Sequence, residues 1–599
     1  MASPIEDYAI LSDCHTAALV SREGSIDWLC LPRYDSPSTF GALLGDDTHG
    51  KWMLRPTDPD AETARHYDGD GFILVTRWQT ASGVAEVVDV MPHGDRRADV
   101  LRRVRGIEGT VEFEQELRVR FDYARAMPWM RQAGTDDAPA LIATAGPDAL
   151  VVRGARLTAS DHAHRGTVTV AAGEQVDLTL TWFSSHKDVP APIDVDAALA
   201  STVAWWSKWA EGIEHAGPHH REVVRSLLVL RALTHEDTGG IVAAATTSLP
   251  EDFGGVRNWD YRYVWLRDAS LTLEALLDHG FVEEAQSWRR WLLRAIAGSP
   301  EDLQIMYGLS GERDLTERTL DHLPGYDGAS PVRIGNGAVD QYQADVIGEV
   351  MVALEAARMA GVDETEFSWP LQRALLDFVE RNVDRADNGI WEIRGEPRYF
   401  THSRVMIWAA FDRGARAVRE FGLDGDAARW EELRDRMKAE IDDRGVDPEG
   451  GHFVQTYGST DVDAALLLLP SVGFCKADDP RMLATVAEME RTLLHDGLLH
   501  RYRTQTGVDG LPGDEHPFLA CSFWLVEQYA ASGRLNDARL LMDKVCGLSN
   551  DLGLLSEEYD VTLRRHAGNT PQALSHLALV RAADALVGHS GRAAHKQNA

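Results

Sequence analysis

Two patterns of apolar and polar residues divide the chain. Up to about residue 190 the apolar positions come in short β-branched or alternating runs: 71–78 (GFILVTRW), 149–154 (ALVVRG), 163–172 (AHRGTVTVAA) and 176–183 (VDLTLTWF). Segment 111–120 (VEFEQELRVR) alternates almost throughout, which predicts a half-buried strand. Gly, Asp and Pro punctuate these runs, as in an antiparallel β-sandwich. ProAlaPro at 190–192 closes this region, and helical spacing over 194–214 predicts a linker helix. From about 220 onward the period is helical. Amphipathic segments fall near 222–235, 268–279, 282–297, 339–361, 367–383, 402–421, 425–443, 459–470, 480–494, 516–532, 534–548 and 570–588. Long connections follow the odd-numbered members of this series and short ones, such as HisGly at 279–280, follow the even-numbered members. Six helical hairpins in this rhythm can close into a double-walled α/α barrel with all the long loops at one end. The expected architecture is multidomain β + α: an N-terminal antiparallel β-sandwich (1–190), a linker helix (191–220), an α/α barrel (221–588) and a disordered tail (589–599).

Composition narrows the function classes. A chain of 599 residues exceeds what one core usually supports, so more than one domain is expected. A net charge of −34 argues against a nucleic-acid partner, whose phosphates demand a basic face. An apolar run of about 18 residues is absent from the sequence, so no membrane partner is expected. The N-terminus lacks the basic and apolar regions of a secretory signal. Five widely spaced cysteines without a CxxC pair read as free thiols of a cytoplasmic protein.

The long loops carry the candidate chemistry. In NWDYRYVWLRDAS (258–270), Trp259, Tyr261, Tyr263 and Trp265 alternate with Asp260, Arg262, Arg267 and Asp268. Aromatic faces cover the C–H side of a sugar ring and charged groups bind its hydroxyls, although a structural loop with an Arg–Asp pair is the plainer alternative. PVRIGNGAVDQYQAD (331–345) offers Arg333 as a ligand contact, with Gln341 and Asp345 one helical turn apart. In NGIWEIRGEPRYFTHS (388–403), Glu392 follows Trp391 and precedes Arg394. A carboxyl pressed against an indole loses hydration and can stay protonated as a general acid, whereas a Glu392–Arg394 surface pair is the equal alternative. Arg501 and Arg503 flank Tyr502 on a further loop. On the last, Glu557 and Glu558 are adjacent, so one of them faces the site, and Asn569 is a candidate helix cap. Asp27, Trp28 and Arg33 read as packing residues rather than as a loop closing the pocket. Two carboxyls across a pocket are the minimum machinery of glycoside cleavage.

These blocks together resemble glycoside hydrolase family 15, the glucoamylase, glucodextranase and bacterial trehalase family. The likeness runs from IEDYAILSDCHTAALVSREGSIDWLCLPRYDSPSTFGALL (5–44) through RNWDYRYVWLRDA, YGLSGERDL, PVRIGNGA, GIWEIRGEPRYFTHS and LLSEEYD to GNTPQALSHLALV, and is greatest to actinobacterial trehalases. The resemblance implies a β-sandwich joined to an (α/α)6 barrel and inversion at the anomeric carbon. It implies Glu392 as general acid and Glu557 as general base, with Arg267 and Asp268 holding the non-reducing-end glucose. Tyr261, Trp265, Arg333, Trp391, Arg394 and Arg501 complete the expected substrate contacts. Where fungal glucoamylases carry a second acidic residue after the acid, this chain has Ile393, which weighs against a starch-like neighbouring subsite.

The expected reaction is release of β-glucose from a disaccharide or oligosaccharide, α,α-trehalose first. The alternatives are an α-1,4 or α-1,6 gluco-oligosaccharide hydrolase, an inverting disaccharide phosphorylase and a non-catalytic sugar-binding protein. No metal or cofactor is needed for the chemistry, and phosphate or magnesium dependence is compatible with it.

Overall fold

A computed structural model describes residues 2–94 and 96–588, so the tail expected at 589–599 lies outside the described residues. The strand region begins at Tyr8–Ser12 and ends at Gln175–Ser184. The alternating segment belongs to a longer strand, Asp99–Arg118, that serves both layers of the sandwich. Its C-terminal part pairs antiparallel with Ala163–Ala171 on one side and Lys51–Pro56 on the other. Its N-terminal part pairs with Gly83–Val90 and Gln175–Ser184. The crossing falls at Gly106 and Gly109: Gly109 has φ +61°, and a Cβ on Gly106 would stand 2.1 Å from the Ala171 carbonyl oxygen. Along 111–117, Val111, Phe113 and Leu117 are buried while Glu112 faces water, the period-two pattern of a strand with one wet face.

Twelve α-helices follow among the described residues: α1 (Val195–Ala210), α2 (His220–Ala232), α3 (Leu266–Asp278), α4 (Val282–Ala295), α5 (Val346–Met359), α6 (Ser368–Arg381), α7 (Thr401–Phe421), α8 (Ala427–Arg444), α9 (Pro480–Thr492), α10 (Leu519–Ala531), α11 (Leu535–Cys546) and α12 (Ala573–Val587). Helices α3, α5, α7, α10 and α12 form an inner ring, closed between α12 and α3. The inner members are buried around most of their circumference, as α3 shows from Leu266 to Leu273. Helices α2, α4, α6, α8, α9 and α11 form the outer wall; all but α2, which is buried throughout Ser226–Ala232, carry one apolar stripe, such as Ala285, Trp288 and Leu292 of α4. This is an (α/α)6 barrel preceded by a β-sandwich.

Two helical expectations need correction. The segment expected as a helix over 459–470 is a single 3-10 turn, Ala464–Leu468, which fills the sixth inner position between α7 and α10. Asp463 keeps an extended backbone and turns its carboxylate to the Trp391 indole, and Pro470 cannot continue a helix. The segment over 339–361 becomes helical only at Val346, because Asn336 caps a separate 3-10 turn (Gly337–Asp340) and Gln341 returns to extended backbone. Gln341 and Asp345 therefore do not share a helix face.

The two regions interlock through side chains. Trp28 is 1% exposed and donates its indole N–H to the Ala245 carbonyl, while Arg33 reaches Ser310 and Glu312. From the barrel side, Arg262 is fully buried, paired with Asp260 at 2.7 Å and bonded to Tyr123 and the Ser36 carbonyl. Arg262 and Asp260, which share a loop with the sugar-contact candidates, are thus anchors to the strand region.

Candidate active site

All the outer-to-inner connections of the barrel are long and gather at one end, as in the 233–265 and 382–400 loops. They enclose a cavity of about 900 Å³, its mouth included. On one side, the strand pair Thr247–Pro250 and Asn258–Asp260 leads through Val264–Trp265 directly into α3. The first turn of α3 thereby points Arg267 and Asp268 into the cavity, with Tyr261, Trp259 and Trp265 beside them. The Arg267 guanidinium donates to the Ile390 carbonyl at 2.9 Å and to Asp268 at 3.2 Å. It also lies 3.7 Å from Glu392.

Glu392 sits on the tip of a tight turn between α6 and α7. Its φ is +55°, a conformation that costs a non-glycine residue roughly 1–3 kcal/mol and persists only when its surroundings impose it. Here the surroundings are specific. Gly389, at φ +67°, has the Phe400 ring 2.9 Å from where a Cβ would stand. Gln341 donates to the carbonyls of Glu392 and Ile393, and buried Asp387 accepts from the backbone of Ala344 and Gly389 and from Ser403. The Glu392 carboxylate accepts the Trp265 indole N–H at 2.5 Å. Burial raises its pKa, partly offset by Arg267 and by the Trp265 bond.

Glu557 stands elsewhere on the wall, 1% exposed against 21% for the Glu392 side chain. Tyr261 donates to it at 2.7 Å, and Tyr261 packs edge-on against Trp265, so Tyr261 and Trp265 connect the two carboxyls. Its neighbour Glu558 enters the strand Glu558–Asp560 and points away from the cavity, toward Arg501 at 3.3 Å. Behind Glu557, Arg501 meets Glu251 at 3.0 Å and Glu515 at 2.7 Å, and Arg257 meets Asp509 at 2.6 Å and Glu515 at 3.4 Å. Carboxylates outnumber guanidiniums in this buried set. Burial and the charge of Glu251 push Glu557 up to about 8, against the pull of Arg501. Glu558 is likewise pushed well up, by burial and then by Glu251. Their titration therefore belongs to the cluster rather than to one carboxyl.

The structure brings Tyr261, Trp265, Arg267, Asp268, Trp391, Glu392, Arg394, Arg501 and Glu557 to the wall of one cavity. Trp391 donates to Asp463 at 3.1 Å and packs among Tyr502, Phe518 and Trp524. Arg394 stacks on Trp259 and pairs with Glu317 at 2.6 Å. The Glu392–Arg394 pair considered as an alternative gives way to Arg394–Glu317. Arg333 takes a different place: it stacks behind Trp259 and commits its guanidinium to the carbonyls of Val256 and Asn258. Asn569 does not cap α12, whose first residue is Ala573; it bonds the Trp259 carbonyl and the Thr246 hydroxyl. Glu251, Asp387, Asp463 and Trp524 were not legible as site residues, because their partners lie on loops far away in sequence.

Residues 217–544 and 535–584 match the family model "Glycosyl hydrolases family 15", and residues 1–188 match "Trehalase-like, N-terminal". The chain belongs to glycosyl hydrolase family 15. As a member it is a glycoside hydrolase. It is 37% identical to a trehalase of Mycolicibacterium smegmatis, over 97% of this chain and 90% of that one. It is 33% identical to a trehalase of Thermoplasma volcanium, over 97% and 93%. A bacterial glucoamylase crystallised with acarbose superposes with a TM-score of 0.74 over 99% of this chain and 95% of that one, at 13% identity, a likeness of fold. Among the described residues no helix is long and apolar enough to cross a membrane.

Removing the charge of Glu251 is expected to move the pH profile in a defined direction. On the expectation that Glu557 is the base, activity on the acidic side requires its ionised form, and Glu251 raises its pKa. Glu251→Gln therefore shifts the acidic limb of kcat/KM to lower pH, measured as a pH–rate profile on glucose release.

Proposed function

We propose that this hydrolase cleaves α,α-trehalose to two molecules of glucose with inversion, using Glu392 as general acid and Glu557 as general base. The observation that carries the reading is one cavity walled by two carboxyls, one held by the Trp265 indole and the other by the Tyr261 hydroxyl. Near-full-length likeness to trehalases supports the substrate. Glucose lies with its far hydroxyls on Arg267 and Asp268, the paired charged groups that line the cavity. Glu392, whose desolvated setting favours its protonated form, gives its proton to the glycosidic oxygen as the C1–O bond breaks. Glu557 takes a proton from a water whose oxygen bonds to C1 on the opposite face. The products are one β- and one α-glucose from each trehalose, and solvent returns the proton to Glu392. This chemistry calls on two carboxyls and water. Ile393 is 1% exposed and packs on Phe400, Tyr502 and Val508, so the position after the acid presents no group to a second sugar.

Five free cysteines, four of them buried, support a reducing, cytoplasmic setting. The deciding experiment is proton NMR of the first turnover with trehalose, maltose and isomaltose as separate substrates. Equal initial α- and β-glucose from trehalose is the expected result. Two α-anomers would mean retention and overturn the roles, and preference for maltose or isomaltose would move the substrate while leaving the carboxyls in place.

A further inference from the structure

A second cluster of ligating side chains lies away from the cavity, where the strand region meets the helices. Cys14 belongs to the turn after Tyr8–Ser12, His93 follows Gly83–Val90, and Glu236 lies just beyond α2. One ligand atom from each, the Cys14 sulfur, a His93 ring nitrogen and a Glu236 carboxylate oxygen, lies within 4.8 Å of the others. We propose that Cys14, His93 and Glu236 bind a zinc ion that ties the strand region to the helical ring.

Four observations support this site. First, Nε2 of His93 is buried and has no hydrogen-bond partner among the described residues, and the same holds for Nε2 of nearby His235. A buried polar atom left unbonded in a native protein calls for an explanation, and an absent ion is one. Second, the ligands are held before any ion arrives. The His93 ring stacks on Trp205 of α1 with centroids 3.6 Å apart, and its backbone N–H donates to Thr202. The Glu236 N–H donates to the Cys14 carbonyl at 2.9 Å, which fixes one turn against the other. Third, the charge balance favours a cation. The charged groups facing Cys14 are Arg231 on one side and Glu236, Asp13 and Glu284 on the other. Arg231 is bonded to Glu236, and a carboxylate has two oxygens, so ligation through one leaves the other to Arg231. Fourth, Glu236 is exposed at its outer edge, which gives an ion a route in.

The chemistry suits zinc. Cysteine, imidazole and carboxylate form a mixed donor set, and bond lengths of about 2.0–2.3 Å would draw the donors to about 3.5 Å apart, a closing movement of about 1 Å. Burial lowers His93 to about 4, so its ring is neutral and able to ligate. Burial also pushes the Cys14 thiol up to about 12, so it stays protonated until a metal displaces the proton. Water completes the fourth position. Because the ligands come from both regions, the ion acts on their union rather than on glucoside chemistry.

The test uses the full-length chain, stripped with chelator and dialysed against trace zinc, with bound metal counted by plasma mass spectrometry. Cobalt serves as the coloured probe. The expected result is about one zinc per chain and, with cobalt, a thiolate-to-metal charge-transfer band. Cys14→Ser abolishes that band, and Cys14→Ser and His93→Gln each weaken zinc binding by at least about 100-fold, since loss of even an outer partner costs 10–100-fold. Cooperative melting of each variant shows that it is folded. Substoichiometric zinc in the wild-type chain, a cobalt spectrum without the thiolate band, or full zinc retention by both variants would each overturn the assignment. The wild-type cobalt spectrum decides the matter even if the variants fold poorly.

Discussion

Glu392→Gln is expected to lower kcat on trehalose by roughly 10²–10⁴-fold, the contribution typical of a positioned general acid, with the melting temperature little changed. Glutamine keeps the volume and the turn that holds φ at +55°, and its carbonyl oxygen still accepts from the Trp265 indole. What disappears is the transferable proton. A substrate whose leaving group needs no proton separates the two carboxyls. α-Glucosyl fluoride departs as fluoride, so Glu392→Gln should hydrolyse it at near wild-type rate. Glu557→Ala should fail on it, because water attack still lacks a base. Added azide, an anion that needs no deprotonation, should then restore turnover in Glu557→Ala and give β-glucosyl azide. If Glu392→Gln is equally dead on the fluoride, or Glu557→Ala is not, the assigned roles are wrong.

How far the sequence led to this site depends on how local each determinant is. The period-two run at 111–120 and the helical stripes of α4 and α8 follow from patterns within one element, and the architecture was legible from them. The stretch Ala464–Leu468 is as apolar as a core helix, yet it forms one 3-10 turn because Asp463 is drawn to Trp391 on another loop. Arg262 and Arg267 show the same limit at the site. They share one loop and one chemistry, but Arg262 is buried against Tyr123 of the strand region, while the first turn of α3 carries Arg267 to the cavity. The strand pair Thr247–Pro250 with Asn258–Asp260 sets that difference, and no spacing within the loop announces it. The residues alone left Glu557 and Glu558 open and only the family resemblance chose Glu557; the Tyr261 and Arg501 contacts that turn Glu557 to the cavity come from two further loops. Nor could any local pattern show that Gln341 braces the Glu392 turn rather than facing a sugar.

Arg501→Met is expected to destabilise the fold by about 3–5 kcal/mol, the usual cost of removing one partner from a buried ion network. Arg501 is 7% exposed and stands among Glu251, Glu515 and Glu558, each 4% exposed or less. Methionine fills much of the space but leaves those carboxylates with Arg257, which already serves Asp509 and Glu515. The deficit has a pH signature. Arg501 lowers the folded-state pKa values of Glu251, Glu557 and Glu558, which burial and their mutual repulsion hold above the usual carboxylate range. Without Arg501 they rise further. A carboxyl whose folded pKa lies above its unfolded value loses stability as pH climbs through the interval between the two. The deficit of Arg501→Met should therefore shrink as pH falls toward the unfolded carboxylate range near ~4.3 and widen toward neutrality. Urea unfolding of both proteins at several pH values measures this. A deficit of the same size at every pH would show that Arg501 acts through packing on Trp391, Tyr502 and Phe518 alone, and that the cluster around Glu557 carries no excess negative charge.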